Sequence, residues 1–228
     1  MRTLTIIASI ALGILSAHAQ FDLGGKAGLN YHFQDARPGD KAPAGMERPD
    51  GDNGLGWHAG LFAEFSLGDR WLLRPEALYS TRLTRREISS TIGMGGTTTA
   101  IESDARGTLS YLEVPVLIGR RLGECLTLQA GPAMGLLLGN QVKVTGTQRV
   151  TTDGNTVTTS LDATTSSTDG LNAVEFAGVI GLGYRLDNGM DLGLRFWNGF
   201  TPLQEDTDII RTKQRLIQLS VGWAFKRG

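Results

Sequence analysis

The sequence VEFAGVIGLGYRLDNGMDLGL at residues 174–194 shows a pattern that the rest of the chain repeats. In its first half every second residue is apolar or glycine and the residues between are small or charged; the same alternation resumes after the turn. A period of two is typical of half-buried β-strands. A three-residue turn with Gly189 in the left-handed conformation would pair Arg185 with Asp191, so that like faces meet. We therefore predict a β-hairpin with a three-residue turn.

The same alternation recurs in eight segments of the chain. They are residues 21–33, 55–67, 71–82, 111–119, 125–138, 174–186, 190–196 and 214–225. The connections after the second, fourth and sixth segments are short, and the others are long, so all short turns fall at one end of a meander. This asymmetry is typical of membrane barrels. The pattern predicts an all-β fold, an eight-stranded antiparallel up-and-down transmembrane β-barrel with short periplasmic turns and long extracellular hairpin loops.

Two of the long connections carry hairpin signals of their own. Glycines cluster at residues 93–96, and Asp153-Gly154 stands near the middle of the Thr/Ser-rich residues 140–170. We therefore expect both connections to be extensions of the flanking strands beyond the membrane. Pro115 lies inside the fourth segment, where proline disfavours pairing, and we expect a bulge or local break there.

Composition bounds the class of protein. The chain has 228 residues, a formal net charge of −1 and 31 glycines, and this charge balance gives no reason to expect nucleic acid as a partner. Cys125 is the only cysteine, so no internal disulfide is expected. Arg2, an apolar core and Ala17-His18-Ala19 predict a signal peptide at residues 1–19, followed by one barrel domain at residues 20–228.

The apolar face of the strands could meet lipid or line the pocket of a soluble, lipocalin-like barrel. Three observations favour lipid. Aromatic residues on that face lie near both strand ends and flank an aliphatic band, as at the two interfaces of a bilayer. Charged residues of both signs, including Lys26 and Glu76, lie mid-strand on the opposite face. The Gly-x-Trp motif that begins lipocalin barrels is absent.

Four segments of the chain resemble a known family. They are LGGKAGLNY at residues 23–31, YLEVPVLIG at 111–119, LQAGPAMGLLL at 128–138 and FAGVIGLGYRLDNGMDLGLRF at 176–196. The chain is similar to the porin-family outer-membrane β-barrel domain common in Bacteroidota, an OmpA-like eight-stranded barrel. The resemblance implies the fold and an outer-membrane location. No catalytic motif comes with it, and the word porin in the family's name is no evidence of a channel.

The interior of an eight-stranded barrel is just wide enough for side chains to fill. Buried charges persist only when they are paired. We therefore predict that inward-facing charges form a structural network that plugs the lumen, with a solute permeation pathway as the alternative. The predicted network consists of Glu64, Arg74, Glu76, Glu113, Glu175, Arg185, Asp191 and Arg195.

A catalytic site would need a histidine with a nucleophile and a carboxylate. After the signal peptide the histidines are His32 and His58, on the polar face near the long-loop end, without a nucleophile motif. A barrel-mouth lipid-modifying enzyme is therefore the least favoured reading, and no catalytic, cofactor-binding or metal residue is predicted. Residues 50–54 resemble a calcium loop, but Leu61 stands where the bidentate glutamate belongs.

The sequence thus predicts a non-enzymatic integral protein of the outer membrane of a Gram-negative bacterium. Its predicted role is structural or in surface interaction through the extracellular loops, and a small-solute channel is the alternative. The Thr/Ser-rich residues 144–168 are a candidate surface for a partner. Expected partners are outer-membrane lipid, the barrel-assembly machinery and an unidentified extracellular ligand. We expect a monomer that binds no nucleic acid and no cofactor.

Overall fold

A computed structural model of the protein describes residues 21–44, 46 and 53–226. The predicted signal peptide and most of the calcium-like loop lie outside these residues. The described part of the chain forms nine strands: β1 (Phe21–Pro38), β2 (Asn53–Ser66), β3 (Trp71–Met94), β4 (Thr97–Leu122), β5 (Leu126–Thr152), β6 (Asn155–Ser166), β7 (Val174–Arg185), β8 (Met190–Pro202) and β9 (Ile210–Lys226).

The strands form one antiparallel sheet that closes on itself. Pairing runs in the order β4-β3-β2-β1-β9-β8-β7-β5, and a further pairing of β4 with β5 completes the ring. β6 pairs with β5 alone and lies outside the ring. In the described part of the chain the ring contains eight strands, and the ninth, β6, is the return limb of the hairpin extension predicted after β5. Within residues 21–44, 46 and 53–226, no helix is long and apolar enough to cross a membrane.

The hairpin of β7 and β8 forms as its alternation predicts. Arg185 pairs with Asp191 and Leu182 with Leu194. The turn closes with a 2.8 Å hydrogen bond from the Leu186 amide to the Met190 carbonyl, and Gly189 has a φ of 88°. The three-residue turn is therefore confirmed. It depends on glycine because a side chain is strained at this φ.

The two faces of the sheet have opposite polarity. Leu182 and Leu194, on the apolar face, are 44% and 47% exposed, whereas the inward-facing Glu113 and Arg82 are fully buried. The apolar face is thus the outside of the barrel and the charged face its interior. The alternative of a barrel with an apolar pocket is wrong. The inward side also holds apolar residues, since Phe62, Leu72 and Leu78 on it are buried.

Both predicted hairpin extensions are confirmed. The β3–β4 ladder continues to the pair Met94↔Thr97, and the β5–β6 ladder to Thr152↔Asn155. Positive φ angles at Gly95, Gly96, Asp153 and Gly154 close the two turns. β2 pairs with β3 only as far as Ser80, and β7 with β5 only as far as Leu136. Beyond those points β3, β4, β5 and β6 continue as a four-stranded sheet, which we call the projecting sheet.

The sequence predicts a bulge or a local break at Pro115, and the β3–β4 ladder has the local break. The pairs Pro75↔Val116 and Leu78↔Glu113 keep one register, and only the ladder positions between them are unpaired. This local break accommodates a residue without an N–H, because the strand continues on both sides. The register shift of β4 against β5 lies instead between Ser110 and Tyr111.

Candidate functional site

The candidate site is the barrel interior, where two clusters of charged side chains lie one above the other. The turn-end cluster, near the short connections, contains Lys26, Glu64, Arg74, Glu76, Arg185, Asp191 and Arg195. The hairpin-end cluster, nearer the projecting sheet, contains Arg82, Glu113 and Glu175. The alternation of each strand directs these side chains inward.

Glu76 is the centre of the turn-end cluster. Two nitrogens of Arg195 donate to its carboxylate at 2.6 and 2.8 Å, a bidentate pair, and the Lys26 ammonium lies at 3.2 Å. The Arg74 guanidinium is 3.0 Å away. At most 3% of any of these four side chains is exposed. Three basic side chains therefore surround one buried carboxylate.

The remaining carboxylates of the turn-end cluster share the same cations. Arg74 donates to Asp191 at 2.8 Å and lies 3.7 Å from Glu64. Arg185 donates to Glu64 at 2.9 Å and to Asp191 at 3.4 Å. The Phe62 ring lies 3.9 Å from the Arg74 guanidinium carbon, a cation–π contact. The cluster is thus one connected network, not a set of separate pairs.

Arg82 organises the hairpin-end cluster. It donates to Glu175 at 2.7 Å and to Glu113 at 3.0 Å, and the Tyr111 ring lies 4.1 Å from its guanidinium carbon. Gln218 donates to the second oxygen of Glu113 at 3.0 Å. Arg82 and Glu113 are fully buried and Glu175 is 3% exposed. One guanidinium thus bridges two carboxylates that would repel each other without it.

Several of these contacts join strands that are not neighbours in the ring. Glu76 on β3 meets Arg195 on β8, and Arg82 on β3 meets Glu175 on β7. In the ring, β3 has β2 and β4 as its neighbours. The side chains therefore reach across the lumen at two heights. Between these two levels the inner side of the barrel holds a buried apolar cluster, which consists of Leu117, Ala133, Ala177, Val179, Trp197 and Leu216.

The structure divides the eight residues of the predicted network between the two clusters, six at the turn end and two at the hairpin end, and the sequence prediction omitted others. Lys26 and Arg82 make ion pairs inside the barrel, and Arg121 lies 3.4 Å from Glu64 at its edge. Arg82 could have been found, because it continues the alternation of Arg74 along β3. Which carboxylates it meets could not, since they lie on strands distant in sequence.

The two histidines are buried inside the barrel. His32 and His58 are 0% and 1% exposed, and the pairings place them opposite Gly54 and Gly28. His58 Nδ1 lies 2.7 Å from the side-chain oxygen of Asn30. The side-chain nitrogen of Asn30 donates to the Ser80 hydroxyl at 2.8 Å. Asn30 thus links His58 to Ser80, whose side chain is also fully buried.

No metal centre is found in the part of the chain that the structure describes. Nowhere in it do three or more His, Cys, Asp or Glu side chains come together to hold an ion. The calcium-like loop at residues 50–54 lies largely outside the described residues. The interior charges are paired with one another instead.

Comparison with known proteins now gives the family. The sequence profile described as "Outer membrane protein beta-barrel domain" matches residues 16–205, most of the chain. The chain belongs to this family of outer-membrane β-barrels. The family places it in the outer membrane of Gram-negative bacteria, in agreement with the closed ring and its apolar outer face. No curated protein matches the sequence.

The chain is similar to several solved outer-membrane proteins at low identity. The attachment invasion locus protein Ail of Yersinia pestis is 11% identical, with a TM-score of 0.37 over 89% of this chain and 99% of Ail. Neisserial surface protein A is 11% identical, with a TM-score of 0.41 over 89% and 97%. An outer-membrane channel from Pseudomonas putida F1 is 11% identical, with a TM-score of 0.34 over 90% and 95%. At these TM-scores the likeness carries no argument about function.

Proposed function

We propose that the protein is a plugged, non-enzymatic eight-stranded transmembrane barrel that binds an extracellular partner through its projecting sheet. Support for membrane insertion comes from exposed aromatic side chains near both ends of the apolar band. Those near the short connections are Phe21, Trp71, Tyr184, Trp223 and Phe225, and those toward the hairpins are Tyr31, Trp57, Tyr79, Phe176 and Phe200.

The cross-lumen ion pairs are the observation that favours a plug over a channel. A permeation pathway needs a continuous column of water, whereas the Glu76–Arg195 and Arg82–Glu175 contacts cross the interior at 2.6 and 2.7 Å. Moving either pair aside would leave buried charges without partners, which is costly. We therefore assign all eight charged residues of the predicted network a structural role.

Conductance in a planar lipid bilayer tests the plug. We expect purified wild-type protein to give no stable unitary current. A variant in which Glu76→Gln and Arg195→Gln are combined should stay silent too, since the two amides still fill the interior. Stable unitary currents from the wild-type protein would overturn the plug and support the small-solute channel.

The edge of β6 is the observation that favours a binding role. β6 pairs with β5 on one side, and no other strand of the described chain pairs with its second side. Its 12 residues, NTVTTSLDATTS, are exposed apart from the half-buried Leu161. At about 3.3–3.4 Å per residue, this gives a free edge roughly 40 Å long.

Natural proteins usually protect such edges with lysines, prolines or bulges. β6 contains one charged residue, Asp162, no proline, and an unbroken register from Asn155 to Ser166. An open, regular edge can accept an extended segment of another protein by strand addition, in which the backbone supplies the hydrogen bonds. We therefore propose β6 as the docking edge of the projecting sheet.

A random peptide library displayed on phage, panned against the protein in lipid nanodiscs, tests this edge. Peptides selected on the wild type should not bind a variant that lacks residues 145–162. Thr145 and Asp162 are cross-strand partners, so this deletion shortens both strands of the β5–β6 hairpin to the same level. A variant trimmed in the β3–β4 hairpin by the matched residues 88–103 is the control and should retain binding. Peptides that bind the β5–β6 deletion as well as the wild type would refute the proposal.

We further propose that residues 1–19 are a signal peptide and that the mature barrel of residues 20–228 is inserted as a monomer by the barrel-assembly machinery. Edman sequencing of the protein recovered from the outer-membrane fraction should begin at or near Gln20. An uncleaved N-terminus in that fraction would contradict the signal peptide.

A further inference from the structure

Four basic side chains share the outer face of the barrel at the end where the hairpins project. Arg37 lies on β1, and Arg211, Lys213 and Arg215 alternate along β9. The three residues on β9 stand at every second position, and the same alternation continues through the exposed Ile217, Leu219 and Val221. They therefore face away from the lumen. Together with Asp35 on β1, we call these residues the rim patch.

Counted over the residues that the structure describes, the rim patch carries an excess of positive charge. Arg37 and Arg211 are direct cross-strand partners, a like-charge pair that destabilises a sheet when nothing compensates it. Lys213 stands opposite Asp35 in the next pair of the same face. Besides Asp35, the exposed Asp40 forms an ion pair with Arg211 at 3.4 Å. Four cations thus face two carboxylates among the described residues.

Asp35 fixes the position of two of the cations. Its side chain is only 4% exposed, and it accepts hydrogen bonds from Arg37 at 2.9 Å and Arg215 at 2.7 Å. The two guanidinium groups are therefore both anchored on one oxygen of a buried carboxylate. Arginines pre-positioned in this way are suited to bidentate binding of phosphate oxygens.

The rim patch borders a cavity and a groove on the outer wall. The rim-patch residues, together with residues 198–200 of β8, line a cavity of about 190 Å³. Arg215 and Phe200 also line an adjoining groove of about 520 Å³, which continues over Gly178 and Ile180 toward the aliphatic band. A Cβ at Gly178 would lie 3.0 Å from the Phe200 ring, so the glycine makes room for the ring in the groove.

Aromatic rings mark the level of this site relative to a bilayer. The rings of Phe33 and Phe196 stack with centroids 6.4 Å apart, and Phe33 is the cross-strand partner of Arg215. Aromatic side chains of this kind lie at the interface between headgroups and acyl chains. The cations therefore stand at headgroup height and the apolar groove at acyl-chain height.

We propose that the rim patch binds the phosphate of a lipid in the outer leaflet, with an acyl chain of that lipid in the groove beneath it. The excess positive charge complements the phosphate, and the groove complements the chain. The cavity opens to the outer wall and not to the lumen, so the occupant is a membrane lipid. The inference relies on the membrane placement and is independent of the partner at β6.

Native mass spectrometry of the purified protein with bisphosphorylated lipid A as the probe tests this site. We expect the double variant Arg37→Gln, Lys213→Gln to bind lipid A at least about tenfold more weakly, because charge-assisted contacts to phosphate are lost. Arg215 is left intact in this variant because it neutralises the buried Asp35. Arg120→Gln is the matched control, since Arg120 is an exposed arginine at the opposite end of the barrel, over Trp71.

Two further probes separate a lipid site from a simple anion site. Dephosphorylated lipid A should bind wild-type protein as weakly as bisphosphorylated lipid A binds the double variant. Inorganic phosphate should not displace lipid A at equal concentration, because it lacks the acyl chain. Equal binding by the folded double variant, or displacement by inorganic phosphate, would overturn the proposal. The variant lacking residues 145–162 should still bind lipid A, so failure at β6 is distinguishable from failure here.

Discussion

The replacement Arg82→Met removes the cation of the hairpin-end cluster and leaves Glu113 and Glu175 facing each other. Methionine keeps most of the aliphatic length of the side chain but makes none of its two ion pairs, at 3.0 and 2.7 Å. Removing one partner of a buried ion pair costs about 3–5 kcal/mol. Two lost hydrogen bonds to charged groups, at about 1.5–3 kcal/mol each, give a similar range. We expect the free energy of unfolding to fall by about 3–5 kcal/mol.

Equilibrium unfolding in urea, with the protein folded into lipid vesicles and followed by tryptophan fluorescence, measures this loss. Adding Glu113→Gln and Glu175→Gln to Arg82→Met should restore most of the stability, because no uncompensated charge is then buried. Arg85→Met is the matched control on the same strand. Arg85 donates to Asp104 at 2.8 Å on the exposed projecting sheet, where an ion pair contributes little, so no measurable change is expected.

A loss below about 1 kcal/mol for Arg82→Met would refute the reasoning. It would mean that water and ions reach Glu113 and Glu175 and screen their repulsion. A lumen open to water in this way is what a channel requires. The stability measurement therefore bears on the plug independently of conductance.

Three further predictions concern the backbone and the projecting sheet. Gly199→Ala should lower the free energy of unfolding by about 1–3 kcal/mol, because its Cβ would lie 2.7 Å from a backbone carbonyl oxygen of β9. Gly139→Ala is the control in the same urea titration. It should be close to neutral, because the space around its Cβ is open. Gly189→Ala should cost about 1–2 kcal/mol because of the positive φ at this turn, read as a lower midpoint of thermal unfolding. The hydrogen bond from Arg85 holds the pKa of the Asp104 carboxyl below its ordinary value. An NMR titration of Arg85→Met should therefore show a higher pKa for Asp104. An unchanged pKa would contradict the contact.

Local patterns predict the strands of this protein well because alternation reports directly which face is buried. The hairpin of β7 and β8, its three-residue turn and both long hairpin extensions follow from residue type and spacing. β6 has no apolar face, since NTVTTSLDATTS is polar almost throughout. The turn signal Asp153-Gly154 and the Thr/Ser-rich residues around it predicted its hairpin with β5 instead. At Pro115 the sequence predicts an irregularity but not its form, which is two unpaired ladder positions without a register shift.

The sequence by itself determined the barrel, the polarity of its two faces and the identity of most interior charges. Only the tertiary structure decided which charges meet across the lumen, because ring closure places β3 across the lumen from β7 and β8. Arg82 and Glu175 are 93 positions apart in the chain, yet their atoms lie 2.7 Å apart. The rim patch has the same origin, since Arg37 and Arg211 become neighbours only when β1 and β9 pair. Alternation along a strand gives the direction of a side chain, whereas its partner depends on how distant strands are arranged in space.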